Sequence, residues 1–187
     1  YEIEVQKVRS HLLSQFPTQY RSKFNYNDEQ VMNDFVSLSF FLGNDYIGQF
    51  EEIEQVRNSF EKIIVTYISL NSSGSRYIYI TYNGTFDKQI FQRFVLALST
   101  KFSGAQRQKQ PQISFNGKRS RTKNQHQHQQ QQTRYNDTEK IAQVKDLLAA
   151  LKWTYTYYIF GQQSSNYKLP NLEKLSLQDF GKLIEYC

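Results

Sequence analysis

The chain has 187 residues, with 23 Lys and Arg against 17 Asp and Glu, so its formal net charge is +6. Cys187 is the only cysteine, which excludes an internal disulfide and a cysteine-based zinc site and fits a reducing compartment. No apolar run approaches the roughly eighteen residues that span a bilayer, so no membrane association is predicted. Because residue 1 is Tyr and not Met, the chain is expected to be a fragment of a longer protein.

The positive charge is concentrated in one segment. Between Lys101 and Arg134 there are eight basic residues and no acidic ones, whereas the regions on either side are nearly balanced. This segment has few apolar residues and ends in a Gln- and His-rich run, so it cannot bury enough apolar surface to offset its chain entropy. The sequence therefore predicts a disordered basic Gln-rich linker at 104–136, between domains at 1–103 and 137–187.

The first block predicts three successive amphipathic helices. Each has an apolar stripe and a polar opposite side, so the three should pack on one another. The first segment is 5–16, the second runs from 27 or 28 to 42, and the third is 49–62. Pro17 ends the first helix, while Asn27 or Asp28 caps the second and Gly43 ends it.

After Lys62 the period of the apolar residues changes from about 3.6 to 2. This change predicts strands at 64–70 and 76–82, joined by a turn in which Gly74 takes a positive φ. A fourth helix follows at 85–102. Helices closed by a two-stranded hairpin are typical of a winged helix, so 1–103 is predicted to be the first winged-helix domain.

The second block predicts two helices around an aromatic run. Residues 141–151 carry an apolar stripe, and 175–186 form a last helix capped by Ser176. The aromatic run 153–160 fits either a helix end or a strand. About fifty residues is small for an independent fold, so this block either forms a second, smaller winged-helix-like unit or docks on the first block. The predicted fold class is α+β, mostly α, with tandem winged helices.

No pattern of residues favours catalysis or metal binding. His11 lies on a predicted helix, while His126 and His128 lie in the Gln-rich run, where composition explains them better than metal ligation. The acidic residues within 51–54 lie on the polar side of a helix, which favours a solvated surface. No glycine-rich phosphate loop is present. The sequence predicts a protein that is not an enzyme and has no cofactor and no metal.

Contacts with nucleic acid are predicted on the linker and not on the folded blocks. The third helix, 49–62, has more acidic than basic residues and would repel a phosphate backbone. The hairpin tyrosines Tyr77, Tyr79 and Tyr82 are better interpreted as cover for a sheet than as stacking platforms for bases. The predicted nucleic-acid contacts are Lys118, Arg119, Arg121 and Lys123.

A protein interface is predicted in the second block. Aromatic anchors dominate protein interfaces, and the densest aromatic group outside a clear helical stripe follows the first helix of this block. The predicted interface residues are Trp153, Tyr155, Tyr157 and Tyr158. At least one of the four should belong to the core, and Trp153 is the first candidate.

Three segments follow one another in an order that is found in a known family. VRNSFEKII at 56–64 precedes RYIYIT at 76–81, and DKQIFQR follows at 87–93. Together they resemble the first C-terminal winged helix of the Stn subunit of the CST telomere complex, and 137–187 matches its second winged helix in position. The resemblance implies a non-catalytic protein-interaction module of telomere maintenance that supports C-strand synthesis.

The same resemblance implies partners and a location. The partners would be other subunits of a CST-like or telomerase complex and, through them, single-stranded telomeric DNA and DNA polymerase alpha-primase. The location would be the nucleus, at the chromosome telomere. The alternative is a winged-helix DNA- or RNA-binding domain whose affinity comes from the basic linker. Salt dependence separates the two, because phosphate contacts weaken steeply as salt rises.

Overall fold

The computed structural model describes residues 4–106, 124–161, 167, 169, 170, 172 and 175–187. The helices of this part of the chain are α1 (Val5–Ser14), α2 (Asp28–Ser39), α3 (Glu51–Glu54), α4 (Ser59–Leu70), α5 (Lys88–Gln106), α6 (Asn124–Phe160) and α7 (Leu177–Leu183). Short 3-10 helices lie at Thr18–Tyr20, Phe40–Leu42 and Ile184–Tyr186. The strands β1 (Thr81–Tyr82) and β2 (Thr85–Phe86) form an antiparallel sheet. The predicted fold class, α+β and mostly helical, is confirmed.

Helix α2 begins and ends as the sequence predicts. The Asn27 side chain accepts a hydrogen bond from the Gln30 amide at 3.0 Å, which caps the first turn. A 3-10 helix continues α2, and Gly43 then takes a φ of 80°, where a side chain would be strained. Both ends of this helix are therefore encoded locally.

The third predicted helix is interrupted. The short helix α3 ends at Glu54, and α4 begins at Ser59 after Asn58, whose φ of 59° is left-handed. A right-handed helix cannot continue through a residue in that conformation. The apolar residues that suggested one helix over 49–62 are therefore divided between two elements.

The predicted strand at 64–70 is wrong, because these residues form the C-terminal part of α4. Their β-branched and aromatic side chains favour a strand locally. In the folded chain, however, Ile63, Ile64 and Tyr67 lie at helical spacing and are all buried. Burial of this face outweighs the local preference. The predicted wing does not form from 64–70 and 76–82, and the tandem winged-helix arrangement is not confirmed.

The observed hairpin is shorter and lies further along the chain. Strands β1 and β2 pair around a turn of Asn83 and Gly84. Both turn residues have a positive φ, of 48° and 77°, as a two-residue hairpin turn requires. Before the hairpin, residues 76–80 run beside the chain that leads into α2, and Phe24 forms a parallel bridge with Arg76.

The last helix packs on the first block. The buried Phe180 ring lies 5.7 Å from the Phe50 ring and 5.9 Å from the Phe91 ring, measured between centroids. A Cβ added at Gly181 would lie 2.8 Å from Leu96 Cδ2, so the missing side chain lets α7 approach α5 closely. The last helix of the second block therefore packs against α5 and the Phe50 ring of the first block.

Helix α6 contributes its C-terminal half to the same core. Val144, Leu147, Leu151 and Tyr155 recur every three or four residues and are all buried. The aromatic run 153–160 is helical, which settles the choice between helix and strand. The buried apolar side chains of the two blocks join in one hydrophobic core.

Most of the predicted linker, 104–136, lies outside the described residues. Its first three residues end α5, and those from Asn124 onward belong to α6.

Within the described ranges, none of the helices has the length and the apolar character that crossing a membrane requires.

Candidate functional site

A carboxylate lies inside the core. Asp34 of α2 is fully buried. Its Oδ2 accepts hydrogen bonds from the Tyr67 hydroxyl at 2.6 Å and from Ile80 N at 2.9 Å. Its Oδ1 accepts from Thr81 N at 2.8 Å and from Thr81 Oγ1 at 2.6 Å. The carboxylate thus has the full set of donors that a buried charge needs.

Thr81 extends this network to helix α6. Its hydroxyl donates to Asp34 and accepts from Gln30 Nε2 at 3.0 Å and from the Tyr155 hydroxyl at 3.2 Å. Gln30 Nε2 also donates to Thr81 O at 2.6 Å. Directed bonds therefore join α2, α4, β1 and α6, and a satisfied buried network of this kind specifies one packing arrangement.

Burial governs the ionisation of this network. It raises the pKa of Asp34 from 3.8 to about 6, while hydrogen bonds from Thr81, Tyr67 and Ile80 oppose the rise. Burial and the nearby Asp34 charge hold the pKa of Tyr67 well above its usual value. Asp34 has no exposed surface, and its hydrogen bonds join α2 to α4 and to the chain at Ile80 and Thr81.

The sequence contained a signal for Asp34 that the apolar pattern alone did not reveal. Val31, Phe35 and Leu38 define the apolar stripe of α2, and Asp34 occupies the position three residues after Val31 on the same face. An acidic residue inside an apolar stripe is rarely buried unless it is paired or hydrogen-bonded. That rule would have predicted a buried polar network here.

A groove with a volume of about 830 Å³ lies beside the network. One wall comes from 25–33, at the start of α2, and the other from 76–82, before the hairpin. The two walls are joined by hydrogen bonds, among them a bond of 2.6 Å from Asn27 N to the Tyr79 hydroxyl. The Tyr79 hydroxyl in turn donates to Asn25 O at 2.8 Å. The walls are thereby held in a fixed register.

Carboxamides and phenol rings dominate the lining of the groove. The carboxamides are Asn25, Asn27, Gln30 and Asn33. The phenol rings are Tyr77, Tyr79 and Tyr82. Asn33 makes no side-chain hydrogen bond to any of the described residues, and Tyr82 is 65% exposed. Groups of this kind bind ligands through short-range hydrogen bonds and stacking.

The charged residues of the groove lie at opposite ends. Arg76 lies at one end, where its guanidinium is 5.9 Å from the centroid of the Phe24 ring. Asp87 lies at the other end, because its amide donates to Ile80 O at 2.8 Å, next to β1. Glu29, on the first turn of α2, also lines the groove. The groove is therefore basic at one end and acidic at the other.

The four aromatic residues predicted as an interface occupy different environments. Tyr155 is the buried one and bonds to Thr81, so the core residue of the group is Tyr155 and the choice of Trp153 was wrong. Tyr158 is 53% exposed, and its ring lies 5.5 Å from the Phe40 ring. These positions neither assign nor exclude a partner surface, and the interface stays a prediction.

Trp153 and Tyr157 belong to a partly exposed ring cluster. Their rings stack with centroids 5.4 Å apart and planes 6° apart. Tyr46, in the loop before α3, lies 5.2 Å from Trp153, and Tyr167 lies 4.5 Å from it. The cluster fastens the end of α6 to the loop before α3.

The other predicted sites are placed as follows. The four basic residues predicted to contact nucleic acid lie outside the described residues and stay a prediction: Lys118, Arg119, Arg121 and Lys123. Glu52 of α3 accepts a hydrogen bond from Leu177 N at 3.0 Å and so satisfies a free amide in the first turn of α7, whose N-cap is Ser176 as predicted. Among the residues that the structure describes, no group of three or more His, Cys, Asp or Glu is placed to hold a metal ion.

The family model described as the Xrn1 helical domain matches residues 25–176. This span is more than three quarters of the chain and runs from the groove wall before α2 to the cap of α7. The chain belongs to the Xrn1 helical domain family. No curated protein matches the chain.

This match overturns the resemblance to the Stn subunit. The segments that carried the resemblance fold differently from a winged helix, because 59–70 is one helix and 76–80 lies beside the chain entering α2. The telomere-maintenance function fails with it, and the DNA- or RNA-binding alternative gains no support from the match. The expected partners and the nuclear location followed from the same resemblance, and they stay untested predictions.

Proposed function

We propose that this chain is the helical domain of a protein related to 5′-3′ exoribonucleases and that it serves RNA degradation. The match of residues 25–176 to the Xrn1 helical domain carries the proposal. That span includes the Asp34 network, both walls of the groove and all of α6. The match therefore covers α2 to α6 and not an isolated motif, while α1 and α7 lie outside it.

Within such a protein this domain acts as a support and not as the catalytic centre. The Asp34 carboxylate is closed to solvent and engaged by Tyr67, Ile80 and Thr81, so its charge serves the fold. Helices α6 and α7 pack back onto the first block, which gives a rigid unit. Rigid scaffolds that position residues elsewhere are a general requirement of catalytic sites.

The test uses single-stranded RNA labelled at its 3′ end, with either a 5′-monophosphate or a 5′-hydroxyl. The full-length gene product should shorten the RNA progressively from its 5′ end, and the 187-residue chain alone should leave it intact. Shortening by the chain alone would overturn the supporting role. A full-length product that leaves both RNAs intact, with divalent cations supplied, would overturn the exoribonuclease relation.

A further inference from the structure

We propose that the groove between 25–33 and 76–82 is a docking site for an extended peptide segment that carries a Lys or Arg, contributed by a partner protein. The proposal goes beyond the exoribonuclease relation and does not depend on it. It rests on the hydrogen-bonding groups, the fixed aromatic rings and the charges of the groove.

The groove offers hydrogen-bonding groups that suit a peptide backbone. The Asn33 carboxamide and the Tyr82 hydroxyl form no hydrogen bond with any described residue, although both line the groove. A carboxamide donates and accepts at once, so it can pair with both polar groups of a peptide unit. The backbone N–H and C=O groups of an extended peptide are free to pair with the groove, whereas a helical peptide pairs them within the helix.

The aromatic wall is held in place before any ligand arrives. The Tyr79 hydroxyl bonds to both Asn27 N and Asn25 O, and the Tyr79 ring lies 4.8 Å from the Tyr77 ring. A ring fixed in this way loses little conformational freedom on binding, so more of its contact energy appears as affinity.

The charges of the groove select the occupant. Glu29 and Asp87 form no ion pair with any residue that the structure describes, and together they outnumber Arg76 in the lining. The Oδ1 of Asp87 accepts from Gln89 N and Ile90 N at the start of α5, so Glu29 is the carboxylate that is more open to a ligand. A nucleic acid would place its phosphates close to these carboxylates, and the negative charges would repel each other. A Lys or Arg side chain near them would be attracted. The charges therefore favour a basic peptide over an RNA strand.

The same charges predict where along the groove the basic residue of the peptide binds. Asp87 lies at the end next to β1, and Arg76 lies at the end next to Phe24. The basic residue of the ligand should therefore bind at the β1 end. An acidic or neutral residue should bind about four positions away.

The test measures binding of fluorescein-labelled heptapeptide pools to the complete 187-residue chain, with one fixed position per pool. Pools with a fixed Lys or Arg should bind best. Glu29→Lys should weaken them about tenfold and improve pools with a fixed Asp or Glu, since charge complementarity sets partner choice. Glu54→Lys is the matched control, because Glu54 is an exposed glutamate of α3 outside the groove. It should leave the preference unchanged.

Two further variants test the hydrogen-bonding groups of the groove separately from its charges. Asn33→Leu and Tyr82→Ala change groups without hydrogen bonds to described residues, so both proteins should fold and both should bind the Lys and Arg pools more weakly. The proposal is overturned if no pool binds at millimolar peptide, or if Glu29→Lys and Glu54→Lys behave alike. It is also overturned if single-stranded oligouridylate binds in the groove and the groove variants weaken that binding alone.

Discussion

Asp34 shows how one residue organises a core. Its two oxygens take bonds from the α4 residue Tyr67, from Ile80 and from the β1 residue Thr81, so segments far apart in sequence are fixed to one point. Removing one partner of such a set leaves the others buried and unpaired, which costs more than the bond itself.

Asp34→Asn should lower the free energy of unfolding by about 2–4 kcal/mol at neutral pH. An amide nitrogen would replace one oxygen and would face at least one backbone donor, either Ile80 N or Thr81 N, which cannot turn away. Urea denaturation followed by circular dichroism measures the change. Asp28→Asn, an exposed change on the same helix, should cost less than about 0.5 kcal/mol. Equal effects of the two changes would rule out the network as a source of stability.

Acid should strengthen the native state through this residue. The folded-state pKa of Asp34 is raised from 3.8 to about 6 by burial, so between these values the native state binds a proton that the unfolded chain does not. Stability from Asp34 therefore rises as the pH falls from 7 toward 4. The stability difference between wild type and Asp34→Asn should grow by on the order of 2 kcal/mol over this range. If the stability difference between the two proteins shrinks toward pH 4, the hydrogen bonds lower the pKa of Asp34 by more than burial raises it.

At the scale of elements, the docking of α7 depends on a close approach of backbones. Leu96 of α5 lies against Gly181, where an added Cβ would meet Leu96 Cγ at 3.0 Å and Leu96 N at 3.3 Å. The backbone nitrogen cannot move out of the way as a flexible side chain can. The two helices must then separate to admit even a methyl group.

Gly181→Ala should therefore destabilise the chain by about 1–3 kcal/mol, although alanine favours helices more than glycine does. Gly48→Ala is the control, since a Cβ there would meet Leu172 at an ordinary contact distance of 3.7 Å. Thermal unfolding of both variants measures the difference. A Gly181→Ala protein as stable as wild type would show that α7 is not tightly docked.

Elements with local signals were predictable, and those decided by tertiary contacts were not. The cap at Asn27 and the stop at Gly43 are local, so α2 was placed correctly. Residues 64–70 look like a strand locally, and the burial of one helical face, with Tyr67 beside Asp34, favours the helix instead. The groove could not be predicted, because its walls come from chain stretches about fifty residues apart, as the Asn27 bond to Tyr79 shows.

At the scale of the whole molecule, the two blocks share one hydrophobic core. Phe180 of α7 packs between Phe50 and Phe91 of the first block, and Tyr155 of α6 bonds to Thr81. The basic segment between the blocks accounts for the positive net charge of the chain. The charge pattern predicted two blocks joined by a linker, and that division stays a prediction beside the core that the described residues share.

Unfolding should be cooperative across both blocks. Trp153 is the only tryptophan, and it lies in the second block against Tyr46 of the first. Its fluorescence should change at the same urea concentration as the helical signal of the whole chain, because one core unfolds as one unit. Separate transitions would mean that the blocks are independent domains.

The most direct test of the central claim asks whether RNA degradation by the full-length gene product depends on this domain being folded. Asp34→Asn, Gly181→Ala and Glu54→Lys would be introduced into that product, and the domain's unfolding and the shortening of 5′-phosphorylated RNA would be measured at rising temperature. The Xrn1-type role predicts that the first two variants lose activity at lower temperatures than wild type, in step with the loss of the domain's structure, while Glu54→Lys follows wild type. Undiminished shortening of RNA at temperatures where the domain has unfolded would contradict it.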